Sequence, residues 1–357
     1  MVNQPRILVS PLDWGLGHAT RCIPIISHLL ERNCEVIIAT HGYSLDILRT
    51  EFPALEYLEL QGYDIRYSSI LPAAMAIALQ LPKIDRSIAR EHKETESICK
   101  TKKIDAIISD NRYGVWSEHI PSIIITHQLN IRTRFAQGLL RLKLNRHLSK
   151  FNECWIPDYE EGDNLSGALS HPCPTAINVR YIGLLSRFNC ACQTLTMEHD
   201  LLVLLSGPEP QRSILEEMVI RQVNQLDNIN VLIVRGIPGG KSYKVNDRIE
   251  LIAHLGIKEL SEKIGNCKVI LSRPGYSTIM DLAALGGKRV IFVPTPGQTE
   301  QEYLAGYFDR EGIAISCKQN RLSLTIEWLK VLACKGFSSS LYPIIYKQEV
   351  DRWLQKI

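Results

Sequence analysis

The loop Asp13-Trp14-Gly15-Leu16-Gly17-His18 combines groups able to do chemistry with a backbone that can come close to a ligand. It follows the apolar run Arg6–Ser10 and leads into helical spacing. Gly15 and Gly17 strip side chains from the turn, and the unpaired N–H groups of a starting helix favour an anion. His18 adds a group that takes up a proton near pH 7. Asp110, in Ile108-Ser109-Asp110-Asn111-Arg112, can orient that imidazole and stabilise its charged form. We therefore read His18 as the leading base, Asp110 as its partner and His127 as a second candidate. Their structural alternatives are a surface histidine and a turn aspartate; Asp13 could equally cap the loop.

A second strand–loop–helix unit lies in the other half of the chain, over Leu271–Leu304. Arg273 closes a predicted strand, Gly275 is expected to let the backbone turn tightly, and Ser277 and Thr278 begin a helix whose positive end suits a diphosphate. Asp281 stands four residues after Ser277, on the same helical face. A carboxylate there can accept both hydroxyls of a ribose. Pro294-Thr295-Pro296-Gly297-Gln298-Thr299-Glu300-Gln301-Glu302 then offers amides and carboxylates to sugar hydroxyls, and Ser206-Gly207 forms another small-residue turn upstream. No Asp-x-Asp occurs, the spacing many transferases use to hold a divalent ion, and no His/Cys cluster has zinc spacing. The expectation is metal-independent chemistry, with Arg273 and helix N-termini stabilising a departing diphosphate.

Parallel sheets wrapped by helices would place these loops. Arg6–Ser10, Glu35–Thr40, Leu55–Leu60, Ile104–Ser109 and Ser122–Thr126 read as buried strands, with helices around Thr20–Glu31, Ser44–Thr50 and Ile84–Cys99. Pro24 fits only near a first turn, so the opening helix should begin close to His18. Strands are expected again at Leu201–Ser206, Asn230–Val234, Arg248–Ala253, Lys268–Ser272, Arg289–Val293 and Gly312–Ser316. The helices between them are Gln211–Leu226, Ile257–Ile264, Ser277–Leu285, Thr299–Arg310 and Leu322–Val331. The fold class is α/β, two tandem doubly wound Rossmann-like domains facing a cleft. Residues 1–160 form the first domain, 161–196 a Gly/Pro/Ser-rich linker with a short strand at Ile182–Leu185, and 197–340 the second domain. A C-terminal helix over 341–357 is expected to pack back on the first domain.

At 357 residues the chain is long enough for two cores, and its 45% hydrophobic and 22% charged content is that of a soluble globular protein. A net charge of +3 gives no reason to expect nucleic acid. The ten cysteines are scattered, with only Cys190-x-Cys192 close together, and no signal-peptide h-region precedes the first strand. Reduced thiols in the cytoplasm are the expectation. Arg132–Lys150 mixes basic residues with leucines, and Ile70–Leu79 is apolar. Together they suggest peripheral contact at the inner face of a membrane, although a buried helix with a basic rim reads equally well.

Ser272-Arg273-Pro274-Gly275…Asp281-Leu282-Ala283-Ala284-Leu285-Gly286, followed by Val293-Pro294…Gln301-Glu302-Tyr303, resembles the donor domain of nucleotide-sugar glycosyltransferases of the GT-B fold. The likeness is strongest to the N-acetylglucosaminyltransferase of peptidoglycan lipid-intermediate synthesis and its family 28 relatives, and Gly15-x-Gly17-His18 matches that family too. The resemblance implies that Asp281 binds ribose and that Gln301, with Glu302 in place of an amide, contacts the donor sugar. Ser206 and Gly207 would map near the diphosphate, although the family's Gly-Gly-Ser-Gln-Gly run reads Ser-Gly-Pro-Glu-Pro here. His127-Gln128-x-Asn130 is similar to the acceptor-side loop, which adds His127 and Asn130 to Gly15 and Gly17 on that side.

The residues and the resemblance together imply an inverting, metal-independent glycosyltransferase without a cofactor. It would move a hexosyl or N-acetylhexosaminyl group from a UDP-linked sugar to a lipid-linked or glycan hydroxyl, in cell-envelope glycan synthesis. Gly15-Leu16-Gly17-His18-Ala19-Thr20-Arg21-Cys22 also resembles the UDP-sugar hydrolase of pseudaminic acid synthesis, where water is the acceptor. A non-catalytic nucleotide-sugar-binding subunit is the remaining alternative. A dinucleotide dehydrogenase is disfavoured, because the loop lacks a third glycine and the second strand ends in Ala39-Thr40-His41 without a ribose-binding acid.

Overall fold

Runs such as Ile7-Leu8-Val9, Val36-Ile37-Ile38-Ala39 and Val269-Ile270-Leu271 are apolar without alternation, as strands covered on both faces must be. The computed structural model describes residues 4–63, 73–130, 137–173, 177–188, 197–226, 228–237 and 239–357. The chain divides into two units: Met1–Arg187 with Pro343–Ile357, and Phe188–Tyr342.

In the first unit the elements run β1 (Arg6–Pro11), α1 (Leu16–Glu31), β2 (Glu35–Thr40), α2 (Gly42–Glu51), β3 (Glu56–Glu59), α3 (Ala73–Lys102) and β4 (Ala106–Asp110). They continue with β5 (Ser122–Ile125), α4 (Gln137–Leu148), β6 (Glu153–Ile156) and β7 (Val179–Tyr181). The seven strands lie in the order β3-β2-β1-β4-β5-β6-β7, and every pair is parallel. Strand order reverses between β1 and β4, with Pro11 opposite Asp110. A ligand crevice opens beyond the strand ends at such a switch point. Pro24 sits in the third turn of α1, not its first. Its missing N–H takes one bond from the helix, and the buried face of Ile23, Ile25, Ile26 and Leu29 outweighs that loss.

The expected linker over 161–196 is corrected: residues up to Arg187 belong to the first unit. The polar composition there serves a turn scaffold. The fully buried Asp158 carboxylate accepts from the backbone N–H groups of Tyr159, Leu165 and Ser166 at 2.8–2.9 Å. The expected strand at Ile182–Leu185 is replaced by β7 just before it. Cys190 and Cys192 lie outside the described residues.

The second unit runs β8 (His199–Leu204), α5 (Gln211–Val223), β9 (Val231–Val234), β10 (Tyr243–Asn246), β11 (Ile249–Ile252), α6 (Ile257–Gly265) and β12 (Cys267–Ser272). Then come α7 (Tyr276–Leu285), β13 (Arg289–Phe292), α8 (Thr299–Arg310), β14 (Ile315–Ser316) and α9 (Leu324–Val331). Its order is β10-β11-β9-β8-β12-β13-β14, parallel except for the edge strand β10. The switch point falls between β8 and β12, where Leu204 pairs with Ser272. The chain then returns to the first unit as α10 (Tyr346–Leu354), which lies on α1 and β6. His28 Nε2 is 2.7 Å from Asp351, Trp353 meets Trp155 edge-on at 5.7 Å, and Arg352 reaches Glu153 at 2.6 Å.

Candidate active site

At the first switch point, α1 carries His18 and Arg21 three residues apart on one face, toward the end of β4. The imidazole Nδ1 lies 2.7 Å from Asp110 Oδ1. Arg21 grips the same carboxylate with two nitrogens, Nε on Oδ2 and Nη2 on Oδ1. Its Nη2 is also 3.0 Å from His18 Nδ1, and its Nη1 is 3.1 Å from His127 Nδ1. Asp110 is wholly buried, while the His18 side chain keeps 16% exposure.

The charges fix the protonation states. Burial pushes the Asp110 carboxyl up, but Arg21 and His18 outweigh it and hold it at about 2. Burial, and then the Arg21 charge, draw His18 below its ordinary value of 6.5, against the pull of Asp110. A neutral imidazole donating Nδ1–H to Asp110 carries its lone pair on Nε2, which has no partner among the described residues. That is the arrangement of a base beside a held carboxylate. His127, only 4% exposed, instead faces the Arg21 guanidinium. Asn130 donates to the Pro172 carbonyl at 3.1 Å. Gly15 needs its backbone freedom, at φ +79°, whereas Gly17 lies within the first turn of α1.

The second switch point is built differently from the sequence expectation. Arg273 is 1% exposed and spends its guanidinium on the protein itself. Nη1 donates to the carbonyls of Val293 and Pro294 at 2.8 and 3.0 Å, and Nη2 donates to Gln211 O and Gln319 Oε1 at 3.0 and 2.6 Å. Burial lowers its pKa to about 10. The expectation that Arg273 grips a diphosphate is corrected: it ties together the loops after β12 and β13 and the start of α5. Gly275 also differs, since it caps α7 at φ −70°, extended backbone open to any residue. It leaves space there instead of making a tight turn; the nearest atom to an added Cβ is Thr278 Oγ1, at 3.8 Å.

Ser277 and Thr278 stand in the first turn of α7, half-buried, and Asp281 follows in its second turn, 6% exposed. Ser206 and Gly207 are exposed in the turn after β8, where Gly207 adopts φ +98°. Gln301 Oε1 accepts from the Thr295 N–H at 2.8 Å, which fixes the loop after β13, and Glu302 is exposed in the first turn of α8. Ser272 Oγ, Arg273 Nε and Thr295 Oγ1 are three of the buried polar atoms that have no partner among the described residues. They gather at the carboxyl ends of β12 and β13, and Thr295 Oγ1 is 3.5 Å from where a Cβ on Gly207 would sit.

Residues 216–343 match the model of the glycosyltransferase family 28 C-terminal domain. A protein of Methanosarcina mazei named an uncharacterized glycosyltransferase is 22% identical over 338 residues, spanning 86% of this chain and 84% of that protein. Among solved structures, the spinosyn rhamnosyltransferase SpnG superposes with a TM-score of 0.69 at 14% identity, covering 98% of this chain and all of that one. Acinetobacter baumannii MurG superposes with a TM-score of 0.62 at 14% identity, covering 99% of this chain and 100% of its own. The chain shares the two-domain α/β fold of these GT-B structures, and its second unit carries the family 28 match. The matched residues cover the second unit from within α5 onward, including Arg273, Asp281 and Gln301, and leave out β8 and the Ser206-Gly207 turn.

Sequence reasoning missed Arg21 as part of this cluster. Its signal was the i,i+3 spacing from His18, which places both side chains over one carboxylate. The basic, leucine-rich segment is partly core: Leu144 and Leu148 pack with Trp116, Phe151 and Ile156, while Lys143 pairs with Asp85 at 2.7 Å and Leu142 is exposed. Residues 132–136 of that segment, and 70–72 of the apolar stretch, lie outside the described residues. Among the described residues no helix is long and apolar enough to cross a membrane.

Proposed function

We propose that the enzyme transfers a hexosyl or N-acetylhexosaminyl group from a UDP-linked sugar to a glycan or lipid-linked hydroxyl, with inversion and without a metal. The observation that carries this reading is the His18 ring, held by Asp110 and Arg21 with Nε2 left over. In the step we propose, Nε2 takes the acceptor hydroxyl proton while that oxygen bonds to the anomeric carbon. The bond from that carbon to the diphosphate oxygen breaks, and the nucleoside diphosphate leaves with the electron pair. One displacement inverts the carbon.

The donor would rest on the second unit. The amino end of α7, with Ser277, Thr278 and the turn at Ser206 and Gly207, offers N–H and O–H donors to the diphosphate. Asp281 would take the ribose hydroxyls, and the Gln301 amide NH2 and Glu302 the sugar. The three unpartnered buried atoms support a polar ligand nearby, since buried polar groups are ordinarily hydrogen-bonded. Relatives of this fold point to the same ligand class: SpnG has been solved with thymidine diphosphate, and Arabidopsis thaliana UGT89C1 with UDP-L-rhamnose.

A panel of UDP-, GDP-, dTDP- and ADP-sugars tests the donor by thermal shift, because a donor at one hundred times its Kd adds about 2.7 kcal/mol. Flat responses throughout would remove the proposal. Water as acceptor is a second reading, favoured by Arg21 and Cys22, the two residues that end the hydrolase-like run, both lying against Asp110. Rapid stoichiometric release of free sugar without acceptor supports it. Release that waits for a hydroxyl acceptor supports transfer. His18→Ala should lower turnover by roughly a thousandfold or more in either case.

A further inference from the structure

Trp14, the residue that breaks the small-residue pattern of the first loop, has no place in the mechanism above. It is 40% exposed, although a tryptophan beside so apolar a core could have been buried. Its indole meets the Tyr63 ring edge-on at 6.1 Å. Tyr63 is itself buried and held rigidly: its hydroxyl donates to Glu91 at 2.7 Å and accepts the Tyr113 N–H at 2.7 Å. The ring is therefore an aromatic surface on a stiff mount, four residues before the base.

Next to it, the Asp13 carboxylate lies flat against Gly62, where an added Cβ would come within 2.4 Å of both oxygens. Its Oδ1 is buried without a hydrogen-bond partner. A carboxylate oxygen in that state costs free energy unless a bound group donates to it. An aromatic face beside an acceptor-only carboxylate suits a ring that is apolar on one face and carries hydroxyl donors at its edge. A pyranose is such a ring.

From this juxtaposition we propose that Trp14 and Asp13 form an acceptor-sugar subsite in the first unit. The pyranose stacks on the Trp14 indole and donates hydroxyl hydrogen bonds to Asp13. This rests on the glycosyltransferase reading, because it supplies the sugar whose hydroxyl His18 deprotonates. Gly62 belongs to the subsite as the residue that leaves room for the carboxylate.

Saturation-transfer NMR tests it on the full chain without nucleotide, using the methyl glycosides of N-acetyl-β-glucosamine, β-galactose, α-mannose and α-rhamnose. At least one should receive saturation on its ring protons. Trp14→Ala should abolish that signal, Trp14→Phe should restore part of it, and His18→Asn should retain it. In the transfer assay, Trp14→Ala and Asp13→Asn should raise acceptor KM tenfold or more and leave donor KM within twofold. No glycoside signal in the wild type, or a signal and acceptor KM unchanged in folded Trp14→Ala, overturns the subsite while transfer activity stands. A Trp14-dependent signal in a protein that turns over no nucleotide sugar would instead keep the subsite and sink the function.

Discussion

One carboxylate, Asp110, organises the polar cluster at the first switch point. It accepts from His18 and Arg21, and the cation beside the ring pulls the imidazole away from protonation. In the role proposed for it, His18 acts only when neutral. kcat/KM should therefore stay level above about pH 6.5 and fall as pH drops through the lowered His18 value. Arg21→Met removes a charge that lowers that value and leaves Asp110 to raise it, so the acidic limb should move to higher pH. A pH–rate profile of both proteins checks this; an unmoved limb would mean that Arg21 does not set the ring's protonation. The place of His18, in the first turn of a helix after a glycine, was legible in the sequence. Arg273 misled, because a buried arginine that binds carbonyls and a free one that binds phosphate look alike in sequence.

The elements beneath the site are held by charge as well as by apolar packing. Glu91 on α3 is 1% exposed and accepts from Arg112 Nε at 2.7 Å, from the Gly114 N–H at 2.8 Å and from Tyr63. Arg112 also donates to the carbonyls of Leu60 and Gln61 at 3.0 and 2.7 Å. This knot fixes the loop that follows Asp110 and the strand-end residues near Trp14. Glu91→Leu leaves the wholly buried Arg112 charge uncompensated, and should cost about 3–5 kcal/mol of stability in urea titration. Retained wild-type stability would show that Arg112 finds another partner. Helices and strands were readable from apolar runs, but β6, β7 and β10 were not. They are short, and β10 is exposed throughout, so periodicity had little to act on.

At the scale of the molecule, the chain enters the second unit at Phe188 and comes back at Pro343. The return segment completes the first unit: Tyr346, Val350 and Trp353 are buried on it, and Arg352 and Lys356 both reach Glu153. Burial of the three apolar side chains is worth about 1.5–3 kcal/mol each. Deleting residues 343–357 should therefore lower the melting transition of the first unit sharply. In calorimetry the second unit should keep its own transition and its response to donor nucleotide. A single unchanged transition would show that α10 contributes nothing to the fold.

Local rules were enough to foresee the doubly wound architecture of each half, because strands covered on both faces must be continuously apolar and each must alternate with a helix. They also marked the strand ends at the two switch points, and with them the positions of His18 and Asp110. Partnership was decided by tertiary structure alone. Arg21 meets a carboxylate 89 residues away, Arg273 turns inward, and the last helix closes the first sheet. Spacing along a chain constrains neighbours a turn or two apart. Pairings across a sheet depend on packing that no short window contains.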